Sequence, residues 1–179
     1  MKFTRTCALL AFALPATAQQ VPGVQEMLQS LVSQQSTHTA FTFDRDMLQS
    51  ADGLLGLDSH ALNSITFENY RYAEPAFYVP ETLAALNAAY SAAGYKHLVE
   101  QHVDARDNAM PHGTLADLWL HNNGMQIDSV VVLVRTPRQM ALIDVTGSLR
   151  PLDLVHLSGH FGIPKVDPDA VMVPAPPGR

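Results

Sequence analysis

Apolar residues recur along the chain with two periods, and the switch between them predicts where helices and strands alternate. Residues 22–35 carry apolar side chains at i, i+3, i+4, i+7 and i+8, which predicts an amphipathic first helix. Phe41 and Phe43 then share one side of a short strand over 37–43. Asp44 follows as a suitable N-cap for a second helix that Gly56 would end.

A second strand and helix follow with the same order. Ile65 and Phe67 alternate with Glu68 and Tyr70, which predicts a half-buried strand over 64–72. Pro80 suits the first turn of a helix, and Gly94 suits the position just after its end, because glycine adopts positive φ without strain. We therefore expect a helix between Pro80 and Gly94.

The C-terminal half predicts an antiparallel meander over residues 95–146. A polar loop is expected over 104–113, and the Asn-Gly dipeptide before residue 125 is a strong hairpin signal. The predicted strands are 95–103, 115–121, 129–135 and 140–146. Valine and leucine lie on both sides of the strand over 129–135, so we expect it in the centre of the sheet.

Together these elements predict an α+β fold, with a single mixed or antiparallel sheet, helices packed on one face and a C-terminal antiparallel meander. Gly147 is expected to end the last strand before a short helix near 151–157. The predicted organisation is a signal peptide (1–18), an N-terminal helix (19–36), an α+β domain (37–164) and a proline-rich flexible tail (165–179).

The first eighteen residues have the order of a secretory signal. Lys2 and Arg5 precede an apolar run that is too short to span a bilayer, and an Ala-x-Ala cleavage site ends at Ala18. We expect export to the periplasm or the medium, with no transmembrane anchor. Cleavage would remove Cys7, the single cysteine, which excludes disulfides and cysteine metal sites. Cys7 precedes the apolar run, so it cannot carry a lipid anchor.

The charge balance narrows the classes of partner. The formal net charge is −6, and it becomes −8 when Lys2 and Arg5 leave with the signal peptide. Nucleic acids and anionic lipids attract clustered Lys and Arg, so the sequence argues against both.

Eight histidines invite a metal hypothesis. His156 and His160 have the i, i+4 spacing that places two imidazoles on one helical face, but Gly159 ends the predicted helix between them. His97 and His102 lie an odd number of residues apart on one predicted strand, so they point to opposite faces. We predict no metal ion and no cofactor.

The sequence carries no recognisable catalytic motif. It contains no Gly-x-Ser-x-Gly elbow, Walker loop or dinucleotide fingerprint, and the mature chain has no thiol. Asp44 and Asp46 are better explained as first-turn helix residues than as a calcium loop. Burial of Asp144 within a strand would raise its pKa, although an exposed strand edge explains this residue equally well. We predict no catalytic residue.

Asp117, Trp119 and His121 point the same way from the strand over 115–121. A mixed aromatic and polar row suits a protein-binding surface, so these three are the candidate partner-binding residues. Packing of Trp119 under a helix is the alternative explanation.

The order of these segments resembles a family of exported bacterial proteins of unknown function, the DUF4252 group, over about residues 22–160. The segments are FTFDRDMLQSADGLLG, SITFENYRYA, an alanine-rich helix, YKHLVEQHV and DLWLHNNGMQIDSVVVLVRTPRQMALIDVTGSLRPLDLVHL. The resemblance implies an α+β envelope protein, often encoded beside extracytoplasmic-function sigma factors and their membrane regulators. It assigns no active site, and the missing lipid-bearing cysteine puts membrane tethering in doubt.

We therefore expect an exported, non-catalytic envelope protein that binds a protein partner or acts as a sensor. The alternative is a metal-binding or small-ligand-binding protein, or a weak hydrolase, whose histidines gather on folding. Convergence of His97, His112, His121 or His160 would favour that alternative. Homodimerisation by strand pairing is a third reading, because sheet edges invite it.

Overall fold

A computed structural model describes residues 21–50, 61–99, 104–124 and 126–149. Several predictions fall wholly or partly outside them: the signal peptide, the second half of the second helix, the end of the strand over 95–103, the end of the domain over 37–164, the helix near 151–157, the histidine pair His156 and His160, and the proline-rich tail.

The centre of the molecule is an open six-stranded sheet in which every neighbouring pair is antiparallel. The strands are β1 (Ser36–Asp44), β2 (Leu62–Tyr72), β3 (Lys96–Val99), β4 (Leu115–Asn123), β5 (Gln126–Arg135) and β6 (Gln139–Leu149). Their spatial order is β1-β2-β6-β5-β4-β3, so the last four strands form the predicted meander. The predicted α+β fold is confirmed, and β5 lies inside the sheet.

Four helices accompany the sheet in the described ranges: α1 (Val24–Ser30), α2 (Arg45–Ser50), α3 (Pro80–Ala92) and α4 (Ala105–Ala109). As predicted, Pro80 opens α3, and Gly94 follows its end with φ +89°. Asp44 caps α2, since its Oδ1 accepts a hydrogen bond from the amide of Met47 at 2.9 Å.

Each face of the sheet carries its own apolar cluster. α1 and α3 contribute Leu28 and Leu86 to the first cluster, which includes Trp119 and Leu133 from the sheet. We call this side the helix face. The second cluster lies on the opposite side and includes Ile143, Val132 and, from α2, Leu48. The predicted one-sided arrangement thus holds for α1 and α3, whereas α2 lies against the other face.

Some elements differ from the predictions. α1 ends at Ser30, because the backbone carbonyl of Leu31 accepts a bond from Val79 and Val32 forms a bridge to Tyr78. The predicted loop over 104–113 contains α4, which Asp104 caps by accepting the amide of Asp107 at 2.8 Å. Gly147 lies within β6, where it pairs with Leu62, and does not end the strand.

Candidate functional site

A cavity of about 240 Å³ opens on the helix face, between the first turn of α1 and the central strands. Strands β2 and β6 supply most of the polar groups of its wall, α1 and the turn before it supply mainly apolar groups, and α3 and the segment after it supply two tyrosines. The lining residues are Val21, Pro22, Gly23, Val24, Gln25, Thr66, Glu68, Tyr90, Tyr95, Leu142 and Asp144. Two carboxylates and two tyrosines therefore share one concave, partly apolar site.

Asp144 is the carboxylate that distinguishes this cavity. Burial raises its pKa to about 6, and the negative charge of Glu68 acts in the same direction, while a hydrogen bond from Ser129 opposes the shift. The Ser129 hydroxyl donates to Asp144 Oδ1 at 3.4 Å, and the Tyr95 hydroxyl donates to Ser129 Oγ at 3.0 Å. Among the described residues, no Lys, Arg or His forms an ion pair with Asp144.

Glu68 lies beside Asp144 but has a different role. Asp144 pairs with Thr66 across β2 and β6, so Glu68, two residues along β2, is its diagonal neighbour on the helix face. Glu68 accepts bonds from Gln25 Nε2 at 2.6 Å and the Tyr70 hydroxyl at 2.8 Å, and hydrogen-bonds His38 Nε2 at 3.2 Å. These bonds tie α1 and β1 to β2, which makes Glu68 an anchor for the cavity wall.

Aromatic rings fix the side of the cavity next to α3. Tyr90 stacks on Trp119 at 4.7 Å between ring centroids and meets the edge of Tyr95 at 5.2 Å. Burial raises the pKa of Tyr90 and of Tyr95, so both hydroxyls stay protonated at neutral pH. Trp119 therefore supports the wall from behind.

The three predicted partner-binding residues do lie on one face of β4, but their environments differ. Trp119 is 1% exposed under α3, and its Nε1 donates to Asn87 Oδ1 at 3.1 Å. Asp117 is buried and accepts bonds from Arg135. His121 keeps a third of its side chain exposed and hydrogen-bonds Asp128 at 2.6 Å. Only the His121 end of the row is accessible to a partner.

The four histidines in the described ranges do not converge, and His160 lies outside those ranges. His38 pairs with Glu68, His97 with Asp117, His112 with Asp107 and His121 with Asp128, so each described ion pair of a histidine uses a different carboxylate. Within the described ranges, no group of three His, Cys, Asp or Glu residues is arranged to hold a metal ion.

Ser129 lies opposite His121 in the pairing of β4 with β5. A serine and a histidine are also the nucleophile and the base of many hydrolases. However, Ser129 Oγ lies between Tyr95 and Asp144, and His121 Nε2 points toward Gly94, 3.3 Å from the position a Cβ would take there. A serine nucleophile needs a base positioned on its hydroxyl. His121 does not supply that contact.

Sequence reasoning noted that burial would raise the pKa of Asp144 but assigned it to no site, and it missed the residues around it. Gln25 and Glu68 are 43 residues apart, and Tyr95 and Ser129 are 34 apart, so no local spacing joins them. One signal was present. Glu68 and Tyr70 alternate with apolar residues on the strand that was predicted to be half-buried.

In the part of the chain that the structure describes, no helix has the length and apolar character needed to span a membrane. Comparisons of the chain with protein-family models, curated proteins and solved structures gave no match.

Proposed function

We propose that this protein is a non-catalytic binding protein that takes a compact organic cation in the cavity beside Asp144. The observation that carries the proposal is the Asp144 carboxylate itself, which lines a 240 Å³ cavity without a cationic partner among the described residues. A buried carboxylate without compensation costs stability, and a ligand ammonium group would supply the missing charge.

The shape and chemistry of the wall support the same class of ligand. Binding sites for small molecules are concave and largely apolar, with a few convergent polar groups and shifted pKa values. Tyr90, Leu142 and Val24 provide the apolar surface, while Asp144 and Glu68 provide the negative charge. Because the cavity is smaller than a typical drug-sized site, the ligand should be a small amine.

The biological setting that we propose is the cell envelope. The order of charges, apolar run and cleavage site in residues 1–18 supports export, and the resemblance to the DUF4252 group supports a sensory role there. The cavity lies between α1 and the sheet, so its occupant would bridge two elements that the Gln25–Glu68 bond already joins.

Benzylammonium is a suitable probe, with benzyl alcohol and benzoate as its neutral and anionic counterparts. Titrations of the full chain, followed by two-dimensional NMR, should show benzylammonium alone shifting the amides around Asp144. Affinity should fall about tenfold for each pH unit below about 6, as Asp144 gains its proton.

Asp144→Asn should abolish that selectivity and its pH dependence. Glu74→Gln removes the same charge from an exposed position and should leave both unchanged. Equal binding of all three probes, or no binding at millimolar concentration, would contradict the proposal.

A protein partner in the envelope is the second candidate function, and the accessible His121–Asp128 pair at the end of the β4–β5 hairpin favours it. Crosslinking in cells should compare wild type with His121→Ala only, because loss of the buried Trp119 ring would damage the core. Loss of one crosslinked envelope protein in a folded His121→Ala variant would support this candidate.

A further inference from the structure

β1 forms an outer edge of the sheet and is unusually open for its length. Its nine residues, Ser36–Asp44, pair with β2 in an unbroken register, and no second neighbour of β1 occurs among the described strands. Every side chain of β1 except that of Phe43 is exposed.

The strand also lacks the features that normally protect an edge. Natural edge strands are kept short, or carry lysine, proline or a bulge, because their free backbone groups otherwise pair with another chain. Between Thr37 and Phe43 there is no proline, lysine, arginine or acid, and the pairing with β2 has no register shift. β3, the opposite edge, has only four residues and begins with Lys96.

We propose that β1 pairs antiparallel with β1 of a second copy of this chain, so that two sheets join into one. The register that pairs all nine residues places the twofold axis at Ala40, with Ser36 opposite Asp44 of the second copy. This dimer goes beyond the proposed ligand site and does not rest on it, because Asp144 lies on β6, which β2 separates from β1.

On the face of the sheet opposite the helix face, the side chains of β1 are complementary to those of the second copy in this register. Phe41, half exposed, already contacts Phe43 at 5.1 Å and Phe67 at 5.5 Å between ring centroids. On pairing, it would lie opposite Thr39 of the second copy and diagonal to that copy's Phe41. Diagonal neighbours are within reach of aromatic rings, so the two clusters would merge across the axis.

On the helix face, the same register is complementary in size and charge. Ala40 lies opposite itself, and its methyl group does not hinder the approach of the backbones. His38 lies diagonal to Asp44 of the second copy, which places a histidine beside a carboxylate at both ends of the interface. No two like charges lie directly opposite each other, which would destabilise the pair.

Residue 40 also provides the sharpest test, because it is the one position of β1 that would lie opposite the same residue of the second copy. Sedimentation equilibrium of the full chain as purified should show a dimer for wild type, and monomers for Ala40→Lys and for Ala40→Glu. An equimolar mixture of the two variants should restore a dimer that contains one of each. Ala88→Lys, on the exposed side of α3, is the matched control and should remain a dimer.

Far-ultraviolet circular dichroism should be the same for all variants, because the exposed Ala40 side chain does not belong to either apolar cluster. A monomeric wild type at high micromolar concentration would overturn the proposal, as would a dimeric Ala40→Lys variant. Two monomeric variants that fail to combine on mixing would overturn the register at Ala40.

Discussion

Arg135 is a cation almost fully removed from water, with 3% of its surface exposed. Its Nε and Nη2 donate to Asp117 Oδ2 at 3.2 and 2.8 Å, and its other bonds go to Asn108. Burial alone would raise the pKa of Asp117, but the hydrogen bond from His97 and the charge of Arg135 outweigh burial and hold that pKa below its usual value. The Asp117 carboxylate is therefore ionised at neutral pH.

Asp117→Asn should consequently destabilise the fold by about 3–5 kcal/mol, because it leaves the buried Arg135 charge without its partner. Asp107→Asn is the matched control, since Asp107 also pairs with a histidine but is half exposed, and it should change stability by less than about 1 kcal/mol. Urea unfolding at pH 7 measures both. Equal effects in the two variants would show that the buried pair contributes no more than a surface pair.

The sequence placed Asp117 on the correct face of its strand but gave no indication of its partner. Arg135 lies diagonal to it on β5, because Leu115 pairs with Arg135 in the register. That register depends on the hairpin turn and on the bulge between His121 and Asn122. Asp144 could be noted as an acid within an apolar strand, but nothing in its own segment distinguished a buried position from a strand edge.

At the scale of elements, β6 passes close to the start of β2 at Gly147. A Cβ on Gly147 would lie 2.2 Å from the backbone oxygen of Ala61 and 3.0 Å from the Cα of Leu62. Gly147→Ala should therefore destabilise the protein by about 1–3 kcal/mol, the usual range for overpacking. Gly113→Ala, where the added Cβ meets nothing within 4 Å, should be neutral or slightly stabilising. Thermal unfolding of both variants tests the contact, and equal midpoints would argue against it.

The elements themselves could largely be predicted, because most are long and strongly periodic. The sequences of α3 and β5 contain their own signals for where each element lies and which of its residues are buried. Their positions therefore agree with the prediction to within about three residues. α4 was missed because five residues are too few to show a helical period, although Asp104 was a visible cap. Gly147 was misread as a strand end, since its requirement for glycine comes from the close approach of Ala61 and Leu62, which are distant in the sequence.

At the scale of the whole molecule, the cavity depends on contacts that no segment encodes alone. α1 is held over β2 by the Gln25–Glu68 bond, and β6 brings Asp144 to the same place from the other end of the chain. The sheet and its apolar clusters follow from local patterns, whereas the grouping of polar residues follows from the strand order. For this reason the fold was predictable and the site was not.

The burial of Asp144 makes the stability of the protein depend on pH. The sign of that dependence can be predicted. The folded state raises the pKa of Asp144 to about 6, whereas the unfolded chain keeps it near the ordinary value of about 3.9. Between those values the folded state holds a proton that the unfolded state has lost, so this contribution to stability falls as pH rises. At about 1.4 kcal/mol per pKa unit, the loss is at most about 3 kcal/mol, complete slightly above pH 6.

Asp144→Asn should remove this dependence, because the amide has no proton to lose. The variant should match wild type near pH 4 and become more stable than wild type by about 1–3 kcal/mol at pH 7, while Glu74→Gln should follow wild type throughout. Urea unfolding at intervals from pH 4 to pH 7 measures the difference. A constant difference across that range would mean that Asp144 ionises normally. A difference that grows with pH would show that the fold keeps a destabilising carboxylate in its cavity, which is the expected cost of a charged binding site.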